Sequence, residues 1–173
     1  MILLRHGQTV FNAARATTGI DPGIPDPGLT ELGRVQAEAA ADTIAAAGVR
    51  RLVTSPYTRA IETAAILARA LALPITVDAR VRERMAYACD IGSTRSELAR
   101  RWTALSFDHL DEIWWHAEEE PAARLQSRCD SFRAEMAALP DWPRLAVVTH
   151  WGVIRALTGT LVGNGESIRF DPT

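Results

Sequence analysis

The stretch Leu145-Ala146-Val147-Val148-Thr149 is almost entirely apolar and leads directly into His150. An uninterrupted apolar run of this length is typical of a strand buried on both faces, as in the centre of a parallel sheet. Ile2-Leu3-Leu4-Arg5 has the same character and ends at His6-Gly7. The two runs therefore predict two buried strands that are each followed by a histidine.

Further strands and helices alternate along the chain between and after these runs. Short strands are predicted at residues 51–55, 75–77 and 167–170, and helices at residues 30–47, 58–73 and 151–161. Thr30 and Gly48 suit the two ends of the first helix, in which Leu32, Val35, Ala39 and Thr43 fall on one face. The alternation predicts an α/β fold, a three-layer sandwich with a mostly parallel central sheet flanked by helices.

Residues 84–140 break this alternation, because they form a helical, charged and tryptophan-rich region without a clear strand. We interpret this region as a short helical cap inserted into a single domain that spans residues 1–173. The four tryptophans in or beside it are expected to pack structurally rather than to stack on a substrate: Trp102, Trp114, Trp115 and Trp142.

The composition excludes several classes of function. Hydrophobic residues make up 47% and charged residues 23% of the chain, and the net charge is −2. This balance describes a folded protein without a basic footprint for nucleic acid or membranes. Arg5 and His6 break the N-terminal apolar run, which is too short for a signal peptide or membrane span. Cys89 and Cys129 are expected to be free thiols, as is typical of a cytoplasmic protein. The protein is expected to be a monomer or a homodimer.

Charged and polar side chains follow three of the predicted strands. Arg5 and His6 end the first strand, Arg59 lies one turn into the helix after Ser55-Pro56, and His150 follows the last apolar strand. In open parallel sheets, ligands bind beyond the carboxyl ends of the strands, which lie at one rim. Two imidazoles and two guanidinium groups are therefore expected to meet at that rim.

Such a cluster favours an anion, because guanidinium groups repel each other and their planar donors match phosphate oxygens. A histidine between two arginines has a lowered pKa and keeps the lone pair that a nucleophile needs. Gly7 allows a close backbone approach, and a carbonyl beside it can fix the tautomer of His6.

Five segments resemble the motifs of the histidine phosphatase superfamily, which contains the cofactor-dependent phosphoglycerate mutases. They occur in family order at residues 4–12, 26–33, 55–64, 81–83 and 148–155, with the sequences LRHGQTVFN, DPGLTELG, SPYTRAIETA, VRE and VTHWGVIR. Each segment is a weak signal by itself, whereas five in order across nearly the whole chain are a strong one.

The resemblance implies a role for each matching residue. His6 would accept the phosphoryl group, and Arg5, Arg59 and His150 would bind its oxygens. Glu83 would protonate the leaving alcohol and then help to activate water. Gly7, Asn12 and Thr18 would complete the phosphate pocket. The arginines and His150 would replace a metal, so no metal and no cofactor is expected, and the expected substrate is a small phosphorylated metabolite.

Departures from the family pattern leave the acid and the pocket size open. Residues 86–92 follow the pattern loosely, so Asp90 is a second candidate for the acid. Glu83 lies among three arginines and could instead form a solvent-exposed ion pair. Trp151 replaces a small residue after the second histidine and could narrow the pocket.

The short stretch after Glu83 favours a phosphatase that transfers the phosphoryl group to water. Two alternatives stay open. One is a cofactor-dependent phosphomutase, and the other is a protein phosphohistidine phosphatase or a non-catalytic binding module.

Overall fold

Five strands and six α-helices build the protein, whose computed structural model describes residues 1–173. The strands are β1 (Ile2–Arg5), β2 (Arg51–Thr54), β3 (Ile75–Val77), β4 (Leu145–Thr149) and β5 (Ser167–Arg169). The helices are α1 (Val10–Thr18), α2 (Glu31–Ala46), α3 (Thr58–Leu71), α4 (Arg95–Arg101), α5 (Ala122–Ala137) and α6 (Trp151–Thr158).

The strands form one sheet in the order β3-β2-β4-β1-β5. β3, β2, β4 and β1 run parallel, and only β5 is antiparallel, at the edge beside β1. Arg5 pairs with Thr149 in the β1–β4 register, so the residues that follow these two strands emerge side by side. The register thus brings His6 and His150 to the same rim.

Helices cover both faces of the sheet. The side chains of β4 alternate between two cores, with Val147 facing α5 and α6, and Val148 facing α2 and α3. Both cores are fully buried at these positions, which explains why the strand sequence is apolar throughout. The predicted α/β three-layer sandwich with a mostly parallel sheet is confirmed.

The face of α2 that was predicted as apolar is not the face that is buried. Leu32 and Val35 are about half exposed, at 51% each, and the buried side is built from Gly33, Ala37, Ala40 and Ile44. Small side chains on the buried side allow α2 to pack closely on α3. Leu32 and Val35 therefore lie on the solvent side of this helix.

The inserted region is shorter than predicted. α5 lies inside residues 84–140, yet its side chains Leu125, Cys129 and Phe132 are buried in the core that includes Leu3 and Val147 of the sheet. α5 is therefore one of the flanking helices of the sandwich. The remaining cap, between β3 and α5, has its own small core around Phe107, Leu110 and Trp114.

α1 is a helix that the sequence analysis did not predict. Thr9 caps it by accepting a hydrogen bond from Asn12 N, the Asn12 side chain accepts from Thr9 N in return, and Gly19 ends it in the left-handed conformation. This reciprocal capping pattern and the terminal glycine were the available signals. None of the helices is both long and apolar enough to cross a membrane.

Two glycines fix the backbone on which His6 is mounted. A Cβ on Gly33 would collide with Gln8 O and lie 2.9 Å from Gln8 N, and a Cβ on Gly7 would collide with Gly33 O. Gln8 O also accepts a hydrogen bond of 2.9 Å from Thr30 N at the start of α2. The loop after β1 therefore runs directly against the first turn of α2, without space for side chains.

We predict that Gly33→Ala destabilises the protein by about 1–3 kcal/mol, because the added methyl group overpacks this contact. Helix propensity alone predicts the opposite sign, a gain of up to about 1 kcal/mol for this substitution. Urea unfolding measures the difference, with Glu38→Ala on the exposed side of α2 as the control, expected to change stability by less than about 0.5 kcal/mol. An unchanged or raised stability of Gly33→Ala would contradict the close contact.

Candidate active site

A cavity of about 500 Å³ opens at the carboxyl ends of β1, β2 and β4. Five of the residues predicted for the site line it directly: Arg5, His6, Asn12, Arg59 and Glu83. His150 is completely buried just behind them, and its ring centroid lies 5.1 Å from that of His6. The structure therefore brings the two imidazoles and two guanidinium groups of the prediction into one place.

His6 is held as a neutral ring with a free lone pair. Its Nδ1 lies 2.7 Å from Gly7 O, and a carbonyl can only accept, so the proton is on Nδ1 and Nε2 keeps its lone pair. Burial lowers the pKa of His6 well below its usual value, and the charges of Arg59 and Arg5 lower it further. The carbonyl that was expected to fix the tautomer of His6 is therefore present, as Gly7 O. The lack of a side chain at Gly7 serves a different contact, the close approach to Gly33.

His150 is oriented by Ser55. Its Nε2 lies 2.8 Å from Ser55 Oγ, and that oxygen also accepts a hydrogen bond of 3.3 Å from Tyr57 N. Since the only acceptor available to the hydroxyl is Nε2, the proton of His150 is assigned to Nδ1. Burial, with Arg59 and His6 nearby, lowers the pKa of His150 well below its usual value, so the ring is neutral and presents an N–H donor.

Two buried donors in this region have no partner within the protein, Arg5 Nε and His150 Nδ1. Arg5 is held at its other end, where Nη1 donates to Val162 O at 2.9 Å. Leaving a buried donor unpaired costs about 1–3 kcal/mol, and more for a charged group. An oxyanion between these donors would remove this cost.

Arg59 is anchored by Asp90 in a buried ion pair of 3.0 Å, in which both side chains are at most 3% exposed. Arg59 also donates to Cys89 O at 2.7 Å, and its guanidinium lies over the ring of Tyr57 at 4.2 Å. Burial acts to lower the pKa of Arg59, but the surrounding acidic groups, with Asp90 the foremost, together outweigh it and raise that pKa. Three of the five N–H donors of the guanidinium are left for another acceptor.

Asp90 has no capacity left for a proton. Its Oδ1 accepts from Arg59 and from the Cys89 thiol, and its Oδ2 accepts from the backbone N–H groups of Ala86 and Tyr87. These four donors occupy the four acceptor positions of the carboxyl group, and the Arg59 charge favours its ionised form, although burial acts to raise the pKa of Asp90. Asp90 therefore serves as the counter-ion of Arg59, which weakens its case as the catalytic acid.

Glu83 lines the cavity, and both of its carboxyl oxygens accept hydrogen bonds from Gly152 N, at 3.0 and 3.1 Å. Burial raises the pKa of Glu83, and the negative charge of Asp90 raises it further. A Cβ at position 152 would collide with Glu83 Oε1, so the glycine after Trp151 makes space for this carboxyl group.

The alternative in which Glu83 forms an ion pair with its neighbouring arginines does not hold. Those arginines pair with other carboxylates: Arg80 with Asp78 and Glu135, Arg82 with Glu120, and Arg84 with Glu119. A carboxyl group without an ion pair and with a raised pKa is suited to carry a proton.

Asn12 and Thr18 lie in different environments on α1. Asn12 Oδ1 accepts from Thr9 and from Asn164 Nδ2, so its NH₂ group is left for the cavity. Thr18 is exposed at the end of α1, donates to Ala14 O, and does not line the cavity. The structure therefore does not bring Thr18 to the site.

The tryptophans also differ in whether they line the cavity. Trp151 is 38% exposed and lines the mouth of the cavity, which it borders without filling. Trp114 is buried and packs edge-on against Tyr57 at 4.7 Å, and none of the cap tryptophans lines the cavity. No three His, Cys, Asp or Glu side chains form a group that could hold a metal ion, and both cysteines are free thiols.

Three contributions to the site were not found from the sequence. Ser55 begins one of the five motifs, but its effect on the His150 tautomer depends on a contact between residues 95 positions apart. Asn164 donates to His6 O and to Asn12 from the turn before β5. Arg15 lines the cavity one turn after Asn12, and the helical spacing of these two positions was the available signal.

Comparisons with known proteins indicate the family of this chain. The family model of the histidine phosphatase superfamily (branch 1) matches residues 1–171. The glucosyl-3-phosphoglycerate phosphatase of Mycolicibacterium vanbaalenii is 29% identical over 171 residues, covering 94% of this chain and 74% of that protein. A probable phosphoglycerate mutase of Proteus mirabilis is 28% identical over 172 residues, covering 93% and 74%.

Among solved structures, a mycobacterial glucosyl-3-phosphoglycerate phosphatase in complex with VO3 matches with a TM-score of 0.70 and 27% identity. The match covers 96% of this chain and 88% of that one. The resemblance seen in the five sequence segments is therefore confirmed, and the protein belongs to the histidine phosphatase superfamily.

Proposed function

We propose that this protein is a phosphatase that hydrolyses a phosphomonoester through a phosphohistidine intermediate on His6. The observation that carries the proposal is the pair of buried, unpartnered donors, Arg5 Nε and His150 Nδ1, in the region of the neutral His6 ring. Neutral His6 supplies the lone pair, and the donors supply the charge stabilisation on which phosphoryl transfer mainly depends.

In the first step, His6 Nε2 forms a bond to phosphorus while the bond from phosphorus to the ester oxygen breaks. Glu83 gives its proton to that oxygen, which leaves as a neutral alcohol. Arg5, Arg59 and the N–H of His150 bind the phosphoryl oxygens as charge builds up in the transition state.

In the second step, the Glu83 carboxylate takes a proton from a water molecule, whose oxygen attacks phosphorus. The bond from phosphorus to Nε2 breaks and inorganic phosphate forms, so that His6 is again neutral and Glu83 is again protonated. The raised pKa of Glu83 suits both directions of proton transfer near neutral pH.

A small phosphorylated metabolite in the cytoplasm is the proposed substrate. Two observations support a small molecule: the limited cavity volume of about 500 Å³, and a relative that is named for the phosphate ester of a glycosylated glycerate. A phosphomutase is the second candidate, because another relative is named as a probable phosphoglycerate mutase. A mutase needs a bisphosphorylated primer, whereas the hydrolase releases inorganic phosphate without one.

We predict that His6→Ala lowers kcat/KM for 4-nitrophenyl phosphate by roughly 10⁴-fold or more, because the nucleophile is removed. The wild-type protein should form an acid-labile phosphoprotein, be inhibited by vanadate and keep its activity in EDTA. His109→Ala is the matched control, since His109 is exposed and lies outside the cavity. Substantial turnover by His6→Ala would defeat the assignment of the nucleophile.

We predict that Glu83→Gln lowers kcat/KM for alkyl phosphates by about 10²- to 10⁴-fold, because their leaving oxygen needs a proton. The loss for 4-nitrophenyl phosphate should be less than about tenfold, since 4-nitrophenolate leaves without protonation. A series of esters with leaving groups of increasing pKa measures this difference. Equal losses across the series would show that another group is the acid.

We predict that Asp90→Asn moves the alkaline limb of the pH profile of kcat/KM to lower pH. Glu83 must be protonated to act as an acid, so activity falls as pH rises through its pKa. The charge of Asp90 raises that pKa, and removing the charge lowers it. The acid limb, set by the depressed pKa of His6, should stay below pH 6.5. A pH profile with an unmoved alkaline limb would contradict this role of Asp90.

A further inference from the structure

One side of the cavity is formed by a single face of α1. Phe11, Asn12 and Arg15 all line the cavity from this helix. Asn164 Nδ2 connects the inner end of this face to the loop after β1, because it donates to Asn12 Oδ1 and to His6 O. Arg15 lies three residues further along the helix, in the outer part of the cavity, at a rise of about 4.5 Å from Asn12.

The arginines that line the cavity differ in their partners. Arg59 is neutralised by Asp90 at 3.0 Å, and Arg84 by Glu119 at 2.8 Å. Arg5 and Arg15 form no ion pair; Arg5 donates to Val162 O and Arg15 donates to the Tyr87 hydroxyl. The cavity therefore has two cations without a counter-ion, one beside His6 and one in its outer part.

Arg15 is held in place although it has no carboxylate partner. Its Nη2 donates to Tyr87 Oη at 2.9 Å, and its guanidinium carbon lies 4.2 Å from the centre of the Tyr87 ring. The ring in turn packs near Phe11, with centroids 6.1 Å apart. A guanidinium stacked on an aromatic ring keeps its planar donors in one orientation, which favours the binding of an anion.

Asp21 does not take the role of counter-ion to Arg15. Asp21 is close enough for its charge to interact with Arg15, but its two oxygens accept from Gly23 N at 2.8 Å and Ala88 N at 2.9 Å. These bonds tie Asp21 to the backbone of its own loop and to that of the cap. The free donors of Arg15 are therefore available to a molecule in the cavity.

We propose that Arg15 binds a second anionic group of the substrate, so that the preferred substrates are phosphomonoesters with a carboxylate or a further phosphate about one helical turn from the transferred phosphoryl group. Arg5 serves the phosphoryl group and Arg15 serves the second acid. This inference rests on the proposed phosphatase function and adds a substrate class to it.

Two pairs of compounds test the proposal and separate the two sources of charge. 3-Phosphoglycerate and glycerol 3-phosphate differ in a carboxylate against a hydroxymethyl group. Propane-1,3-diyl bisphosphate and 3-hydroxypropyl phosphate differ in a second phosphate. The measured quantity is the ratio of kcat/KM for the acidic over the neutral member of each pair, for wild type, Arg15→Gln, Arg15→Lys and the control Arg34→Gln, which alters an exposed arginine of α2.

In at least one pair, Arg15→Gln should lower this ratio by roughly 10- to 100-fold, the range expected for a charge-assisted hydrogen bond. Arg15→Lys should restore part of the ratio, because it keeps the charge without the planar fork. Arg34→Gln should leave it unchanged. A ratio in Arg15→Gln equal to that of wild type in both pairs would overturn the proposal.

Binding to the His6→Ala protein, measured by calorimetry with the same compounds, separates this proposal from the proposed function. Tighter binding of an acidic compound, lost on adding Arg15→Gln, supports the second anion site even if the wild type releases no phosphate. In that outcome only the phosphatase assignment fails. Equal binding of acidic and neutral compounds, with phosphate release intact, overturns the second anion site alone.

Discussion

The close approach of buried arginines to two imidazoles at one rim of the sheet is the interaction on which the site depends. Asp90 neutralises Arg59, whereas Arg5 keeps a buried, unpaired Nε. Burial lowers the pKa of His6 and of His150, and the same positive charges lower both further, so that the two rings are neutral. The unpaired buried donors thus lower the stability of the protein, but they are free to bind an oxyanion, and the neutral His6 ring keeps a free lone pair. This trade is typical of sites in which the charges are arranged before the ligand arrives.

Missing side chains at two glycines set the spacing of this arrangement. Gly33 lets the loop after β1 lie against α2, which fixes the carbonyl of Gly7 that orients His6. Gly152 opens the first turn of α6 to the carboxyl group of Glu83 and also supplies the N–H that binds it. Both are steric requirements, since neither glycine has the positive φ that only a glycine adopts easily. His6 and Glu83 are therefore each held by a backbone contact that a single methyl group would disturb.

The strands and the convergence of His6 with His150 could be predicted, because buried parallel strands have apolar sequences and end at a common rim. The orientation of α2 could not, since its buried side consists of glycine, alanine and one isoleucine, which carry little periodic signal. α5 was assigned to the cap because most of its residues are polar, and only Leu125, Cys129, Phe132 and Met136 mark its buried stripe. The partners of Asp90, Ser55 and Arg15 depend on contacts across the fold, which local sequence patterns do not contain.

The tryptophan-containing core of the cap contacts the site through Tyr57, the residue before α3. The ring of Tyr57 supports the Arg59 guanidinium at 4.2 Å and meets His150 edge-on at 5.2 Å, and its hydroxyl donates to Asp90 O. Trp114 of the cap core packs edge-on against the same ring at 4.7 Å. Because Tyr57 is completely buried between these groups, a shift of the cap core would move the ring that positions Arg59 and Asp90 together. The short cap is thus coupled to the phosphoryl pocket by packing, although its tryptophans lie outside the cavity.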